Sequence, residues 1–209
     1  MDRNNYIDVI GVGPGNPQYI LPIAIRKIEQ SQILIGGIRN LEAVKQYKKE
    51  TIEIKNNLKE IVDYIQNNCS NKKIAILVSG DPGYHSLLKY IRNNTKDVHI
   101  EVTPGISSFT YIFSKLSMTW DDAFLSSVHG EQIDYIAQIN ENEKIAFLTD
   151  NFVTPKVIAK EMLANEITKK IIFIGENLSY DNEKITKFNV EEAANYDANI
   201  LCVMVIIDE

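Results

Sequence analysis

The sequence Val9-Ile10-Gly11-Val12-Gly13-Pro14-Gly15-Asn16-Pro17 is an apolar run that breaks into a glycine–proline loop. The same arrangement returns in Leu77-Val78-Ser79-Gly80-Asp81-Pro82-Gly83-Tyr84 and in Val102-Thr103-Pro104-Gly105-Ile106-Ser107-Ser108. These loops contain four of the six prolines and six of the ten glycines, so the turn-forming residues are concentrated in them. Each loop follows a strand-like run and precedes a helix-like one, which is where open α/β sheets bind ligands. Because glycine has no Cβ, its backbone can approach a small molecule closely, and the loops therefore predict a cofactor pocket.

The first half of the chain alternates strand-like and helix-like segments. The strand-like runs are 7–12, 33–35, 51–54, 74–78 and 98–102, and the helical segments are 22–30, 38–48, 58–67, 84–93 and 107–116. Such alternation is typical of a parallel sheet covered by helices, so the predicted fold class is α/β.

The second half repeats the pattern with fewer helices. Its strand-like runs are 123–127, 145–148, 171–175, 184–188 and 200–207, and its helical segments are 133–139 and 154–164. This half is predicted to form a mixed sheet. We expect two domains: an N-terminal α/β domain over residues 1–117, which carries the three loops, and a C-terminal mixed α/β domain over residues 118–209.

Charge and cysteine content exclude several classes of function. The 209 residues carry 22 Lys and Arg against 28 Asp and Glu, a net charge of −6, which argues against general binding of nucleic acid. Cys69 and Cys202 stand far apart without a Cys/His cluster, so we expect neither a disulfide framework nor a bound metal, and a reducing cytoplasm is the expected location. No signal peptide or spanning segment is recognisable, and no membrane partner is expected.

The glycine spacing argues against two common nucleotide-binding loops. The dinucleotide motif requires a third glycine where this chain has Asn16, and the second strand ends in Gly36-Gly37 without an acidic residue. A phosphate-binding Walker loop is also absent, because no Gly-Lys-Ser/Thr follows these glycines.

Taken together, the three loops resemble those of the tetrapyrrole (corrin/porphyrin) methyltransferases, which use S-adenosylmethionine. The resemblance rests on Gly-x-Gly-Pro-Gly at 11–15, Ser-Gly-Asp-Pro-Gly-Tyr at 79–84 and Pro-Gly-Ile-Ser-Ser at 104–108, and it covers essentially the whole chain. It implies two α/β domains of the tetrapyrrole methylase type, with the cofactor in the cleft between them.

Segments of the second half are similar to the C5-methyltransferases of cobalamin synthesis, the CbiE type, which act on cobalt-precorrin-7. These segments are Val128-His129-Gly130, Phe147-Leu148-Thr149-Asp150 and residues 174–185. Residues 35–41 also match that subfamily, except that Asn40 replaces its usual histidine and Glu131 stands where arginine is expected. The resemblance implies methylation of C5 of a corrinoid tetrapyrrole.

The resemblance also assigns cofactor-binding residues, namely Pro14, Gly80, Tyr84, Ser107, Ser108, Leu148 and Asn199. Asp81 is the best candidate for a polar contact to the ribose or the amino-acid portion of the cofactor, and helix capping is its structural alternative. Capping would equally explain Ser107, and burial in a core would explain Leu148.

The substrate is assigned to Gly13, Arg39 and His129. Arg39 suits an acetate or propionate of the tetrapyrrole because its guanidinium binds carboxylates in a bidentate manner, although a solvated arginine is an equal alternative. His129 is the catalytic candidate, because deprotonation of the methylated macrocycle or steering of its carboxylates requires a pKa near neutrality. A structural histidine is the alternative role.

Two other functions remain open. One is another methyltransferase of the same superfamily, which acts on a different corrin position or on a protein side chain, as diphthine synthase does. The other is a non-enzymatic nucleotide-binding module on the same fold. The favoured function leaves C15 methylation and decarboxylation to a separate protein. A homodimer is expected, with the apolar helix 107–116 as a surface that sequence does not distinguish from core.

Overall fold

The chain divides into two compact units, Met1–Ser107 and Ser108–Glu209, each built around its own sheet. The structure is a computed structural model that describes residues 5–84, 86–128, 133–199 and 202–209. The division lies ten residues before the predicted domain boundary at residue 117. In the part of the chain that is described, no helix combines the length and the apolar character needed to span a bilayer.

The first unit contains a five-stranded parallel sheet. In chain order its elements are β1 (Tyr6–Gly11), α1 (Pro22–Gln30), β2 (Ile33–Gly36), α2 (Ile38–Glu42), β3 (Glu50–Glu53), α3 (Leu58–Asn68), β4 (Ile74–Val78), α4 (Leu87–Asn94) and β5 (His99–Thr103). The strand order is β3-β2-β4-β1-β5, and every pairing is parallel. The predicted parallel sheet is confirmed.

Helices cover both faces of this sheet, so its inner strands are apolar throughout. Alternate residues point to opposite faces. Ile7 and Val9 pack with α3 and α4, whereas Ile10 packs with α1 and α2. A strand buried on both faces reads as a continuous apolar run, and this is the reason that β1 and β4 are recognisable in the sequence.

Two predicted helices differ from the structure. The segment 38–48 is not one helix: α2 ends at Glu42, and a 3₁₀ turn follows at Lys45–Tyr47. Leu41 and Val44 are both buried across this break, and their three-residue spacing fits a 3₁₀ turn as well as an α-helix. The helix predicted from Tyr84 begins at Leu87, because Ser86 caps it by accepting a hydrogen bond from the Leu88 amide.

The second unit contains a mixed sheet, as predicted. Its elements are α5 (Ser108–Lys115), β6 (Phe124–Ser127), α6 (Tyr135–Glu141), β7 (Lys144–Leu148), α7 (Pro155–Ala164), β8 (Lys170–Glu176), β9 (Lys184–Asn189), α8 (Val190–Ala193) and β10 (Cys202–Asp208). The strand order is β6-β7-β10-β8-β9. β6 pairs with β7 in parallel, and the other three pairings are antiparallel.

Helix α5 belongs to the second unit. Ile112 packs over Gly175 of β8, where a Cβ would lie 2.6 Å from the Ile112 Cδ1 atom. Lys115 forms an ion pair with Glu183 at 3.1 Å. The aromatic residues Phe109, Tyr111 and Phe113 are buried within the chain. Of the two roles that the sequence left open for this helix, core and surface, the structure gives these three side chains the core.

Candidate functional site

The three glycine–proline loops meet at one edge of the first sheet. They follow β4, β1 and β5, which are neighbours in the sheet and run parallel, so their carboxyl ends lie side by side. The Val12 amide donates to the Val78 carbonyl at 2.9 Å, and the Gly80 amide donates to the Gly13 carbonyl at 2.8 Å. The first two loops are therefore joined beyond the ends of their strands.

Three glycines form a junction between the loops, with backbone packed directly on backbone. A Cβ on Gly11 would lie 2.6 Å from the Gly80 carbonyl oxygen and 2.7 Å from the Gly105 nitrogen. A Cβ on Gly105 would overlap the Gly80 oxygen and lie 2.9 Å from the Gly11 Cα atom. No other residue type fits at Gly11 or Gly105, since Cβ atoms do not approach backbone so closely.

The Asp81 carboxylate ties the second loop to the third. Its Oδ1 atom accepts a hydrogen bond from the Gly83 amide at 2.7 Å, and its Oδ2 atom accepts one from the Gly105 amide at 3.0 Å. The first bond closes a turn within the loop, and the second crosses to the loop after β5. This geometry gives Asp81 a bridging role, whereas α4 is capped by Ser86.

Helix α2, which follows β2, is joined to the same edge through Asn40. Its Nδ2 atom donates to the Leu77 carbonyl at 3.2 Å, and its Oδ1 atom accepts from the Ser79 hydroxyl at 2.8 Å. The preceding Arg39 is exposed on α2.

A second group of polar residues lies at one edge of the second sheet. β10 runs antiparallel to β7 and β8, so its start at Cys202 lies beside the ends of both strands. Thr149, directly after β7, places its Oγ1 atom 2.9 Å from the Cys202 Sγ atom and 3.2 Å from the Cys202 carbonyl oxygen. Burial, with a smaller contribution from the charge of Glu176, raises the pKa of the Cys202 thiol. Cys202 therefore stays protonated near neutral pH and serves as a small buried residue.

The predicted site residues fall into these two groups. Gly13, Pro14, Gly80, Asp81, Tyr84 and Ser107 lie in the converging loops of the first unit, with Arg39 on the adjoining α2. Leu148 and Asn199 lie at the edge of the second sheet where β7 and β8 end and β10 begins. Ser108 is the first residue of α5 in the same unit. His129 lies outside the described residues.

Sequence reasoning missed how these residues are held. Gly105 and Glu176 lie within the family motifs, but the sequence predicts no role for Gly105 and leaves Glu176 open between shaping the second domain and contacting the substrate; Tyr196 lies outside these motifs. Gly105 could have been found, because a glycine at the carboxyl end of a strand that neighbours two other glycine loops predicts close backbone approach. Tyr196 lies in a polar stretch that has no periodic pattern and carries no such signal.

The first edge suits the binding and alignment of a small molecule. It offers carbonyl and amide groups on a backbone that is braced by Asp81, Asn40 and the glycine junction. Transfer of a group between two bound molecules depends mainly on this kind of alignment.

Comparison with known proteins agrees with the loop motifs. The model of the family "Tetrapyrrole (Corrin/Porphyrin) Methylases" matches residues 7–194. A probable cobalt-precorrin-7 C(5)-methyltransferase of Methanocaldococcus jannaschii is 36% identical over 207 residues, which cover 95% of this chain and 96% of that protein. The cobalt-precorrin-7 C(5)-methyltransferase of Salmonella typhimurium is 28% identical, and the match covers 97% of this chain and 99% of that protein.

Solved structures show the same fold. A precorrin-6Y methylase from Archaeoglobus fulgidus has a TM-score of 0.72 at 19% identity, with 98% of each chain covered. A uroporphyrin-III C-methyltransferase from Thermus thermophilus, complexed with S-adenosylhomocysteine, has a TM-score of 0.77 at 16% identity, with 97% of this chain and 92% of that chain covered. The predicted family, the α/β fold and the assignment as a methyltransferase are confirmed. By its loops, its fold and its relatives, this chain belongs to the tetrapyrrole (corrin/porphyrin) methylases.

Proposed function

We propose that this protein transfers a methyl group from S-adenosylmethionine to C5 of cobalt-precorrin-7 in cobalamin biosynthesis. The observation that carries the proposal is the 36% identity, over nearly the full length of both chains, to a protein named for that reaction. The Salmonella protein bears the same name and is matched over 97% of this chain.

The converging loops support S-adenosylmethionine as the cofactor. The residues proposed to contact it are Pro14, Gly80, Asp81, Tyr84 and Ser107 in the first unit, and Ser108, Leu148 and Asn199 in the second. The glycine junction holds the three loops together, so a molecule bound at this edge would meet a fixed backbone. A protein of this fold is complexed with S-adenosylhomocysteine, the product left after the methyl group departs.

Methyl transfer requires the protein mainly to align the methyl donor with the acceptor carbon. The sulfur–methyl bond breaks with its electron pair retained on sulfur, the acceptor carbon supplies the pair for the new carbon–carbon bond, and a proton then leaves the acceptor. The protein aligns the two reacting atoms and excludes water. We propose His129 as the group that takes the proton or steers the substrate carboxylates.

Substrate recognition is proposed for Arg39 and the backbone at Gly13. Arg39 is exposed on α2, and its guanidinium can bind a carboxylate of a corrinoid in a bidentate manner. Cobalt belongs to the substrate in this proposal. C15 methylation and decarboxylation are assigned to a separate enzyme, because the relatives of matching length are named for C5 alone. We also propose a homodimer, which sedimentation analysis tests directly.

Two measurements test the function in order. Calorimetry with S-adenosylmethionine comes first, and binding in the micromolar range is expected; preference for NAD or ATP would refute a methyltransferase. Incubation with cobalt-precorrin-7 follows, and mass spectrometry is expected to show the gain of one methyl group with release of S-adenosylhomocysteine. Binding of the cofactor without methylation of this substrate would favour a different acceptor, such as the protein side chain methylated by a diphthine synthase.

A further inference from the structure

The buried carboxylate of Glu176 holds the exposed residue Asn199 by two hydrogen bonds. The backbone amide of Asn199 donates to the Glu176 Oε1 atom at 2.8 Å, and the side-chain Nδ2 atom donates to the same oxygen at 2.9 Å. Glu176 is only 1% exposed, whereas Asn199 lies at the surface. A residue of an irregular segment is thus attached to the last position of β8.

The other carboxylate oxygen of Glu176 is engaged as well. Its Oε2 atom accepts a hydrogen bond from the Tyr196 hydroxyl at 2.6 Å, and that hydroxyl accepts one from the Lys184 Nζ atom at 2.8 Å. Lys184 also lies over the Tyr196 ring, 4.9 Å from its centroid. These contacts offset the cost of burying the carboxylate and fix its position.

This arrangement determines which way the Asn199 amide faces. A carboxylate only accepts hydrogen bonds, so the amide has to turn its NH₂ group toward Glu176. The Asn199 Oδ1 atom is then directed away from Glu176, and the side chain presents an acceptor. A ligand that donates an N–H or O–H group matches that acceptor.

We propose that Glu176 is a positioning residue that orients Asn199 to accept a hydrogen bond from an amino or hydroxyl group of S-adenosylmethionine. The inference rests on the proposed function, because it takes that cofactor as the ligand. Glu176 does not itself contact the cofactor in this proposal; it acts through Asn199.

The test measures two properties of each variant. Calorimetry gives its affinity for S-adenosylhomocysteine, and thermal unfolding gives its melting temperature. Asn199→Ala is expected to weaken binding about tenfold through loss of one hydrogen bond to the ligand. Glu176→Leu is expected to weaken binding similarly and to lower the melting temperature. In an Asn199→Ala background, Glu176→Leu is expected to lower the melting temperature again without further loss of affinity.

A conservative substitution tests orientation without removing the contact. Glu176→Gln can direct its Oε1 atom to the Asn199 backbone amide and Nδ2 atom, and its Nε2 atom to the Tyr196 hydroxyl. Asn199 then stays held, and affinity is expected to remain near that of wild type. Tyr135→Phe is the matched control, because it removes a hydrogen bond to Glu161 elsewhere in the second unit and is expected to change stability alone.

Three results would overturn the inference. The first is wild-type affinity in the Asn199→Ala variant, and the second is an equal effect of Glu176→Leu on binding with and without Asn199. The third is a loss of affinity in a folded Glu176→Gln variant as large as the loss in Glu176→Leu. In all three the wild-type protein binds the ligand, so the proposed cofactor stands. Absence of binding by the wild-type protein overturns both proposals.

Discussion

The carboxylate of Asp81 accepts a hydrogen bond from the backbone amide of Gly105 at 3.0 Å, across two different loops of the first unit. Asp81 follows β4 and Gly105 follows β5, and β1 lies between these strands in the sheet. The bond therefore spans the glycine junction and braces the edge at which the cofactor is proposed to bind.

Asp81→Ala is expected to weaken binding of S-adenosylmethionine about tenfold. The Gly83 and Gly105 amides lose their acceptor in this variant, and the third loop is no longer held against the second. Calorimetry measures the affinity, and amide hydrogen exchange is expected to rise at Gly105. Unchanged affinity together with unchanged exchange would show that the bridge has no part in binding.

Gly11→Ala is expected to destabilise the first unit by about 3 kcal/mol. The added Cβ would meet the Gly80 oxygen at 2.6 Å, and backbone on both sides prevents relaxation. Gly37→Ala is the matched control, because the added Cβ meets nothing within 4 Å. Urea unfolding measures both, and the control is expected to stay within about 0.5 kcal/mol of wild type. Equal stabilities of the two variants would contradict the packed junction.

Lys27→Met is expected to destabilise the first unit by about 3 kcal/mol. Asp8 and Glu101 stand opposite each other in the register of β1 and β5, and Lys27 pairs with both, at 2.6 Å and 2.7 Å. Burial lowers the pKa of Lys27, but the two carboxylates outweigh that effect and raise the pKa above its ordinary value of 10.5. Without the lysine, two like charges face each other and Asp8 is left buried.

The control for this prediction is Lys45→Met, which removes an exposed ion pair with Glu42. Such pairs contribute little, so the expected change is below about 0.5 kcal/mol. A Lys27→Met variant as stable as this control in urea unfolding would show that the Asp8 and Glu101 charges need no counter-charge.

Glu183→Gln is expected to destabilise the second unit by about 2 kcal/mol at pH 7. Burial raises the pKa of Glu183, but hydrogen bonds from Tyr111, the Ser179 amide and Lys115, with the lysine charge, lower it overall below the ordinary value of 4.5. A depressed pKa in the folded state contributes stability that is fully present above pH 4.5 and is lost as the pH falls through the folded pKa. The difference between variant and wild type is therefore expected to shrink below pH 4.5.

Thermal unfolding between pH 7 and pH 3 measures this effect. Glu42→Gln serves as the control, since Glu42 is exposed and its pair with Lys45 lies on the surface of α2. A difference between Glu183→Gln and wild type that stays constant across the whole range would contradict a stabilising charge on Glu183.

Most strands and helices could be predicted because burial dictates residue type there, and two are found at their predicted bounds. β4 is predicted and found at 74–78, since all five of its residues are buried. α1 is predicted and found at 22–30, where Pro22 occupies the first turn. The break after α2 could not be predicted, because Leu41 and Val44 are spaced for either kind of helix. The burial of α5 could not be predicted either, since an apolar helix has the same sequence pattern whether it packs in a core or forms an exposed surface.

The sequence by itself determined the fold class, the family and the three loops, because strands buried on both faces and glycines at their ends leave a pattern in local composition. Only the tertiary structure decided how the site is braced. Asp81 with Gly105, and Glu176 with Asn199, are 24 and 23 residues apart. The first pair meets because β4 and β5 end at the same edge of the first sheet, on either side of β1, and the second because β10 begins beside the end of β8. Hydrogen bonds between such distant residues depend on strand order and register, which local patterns of residue type do not encode.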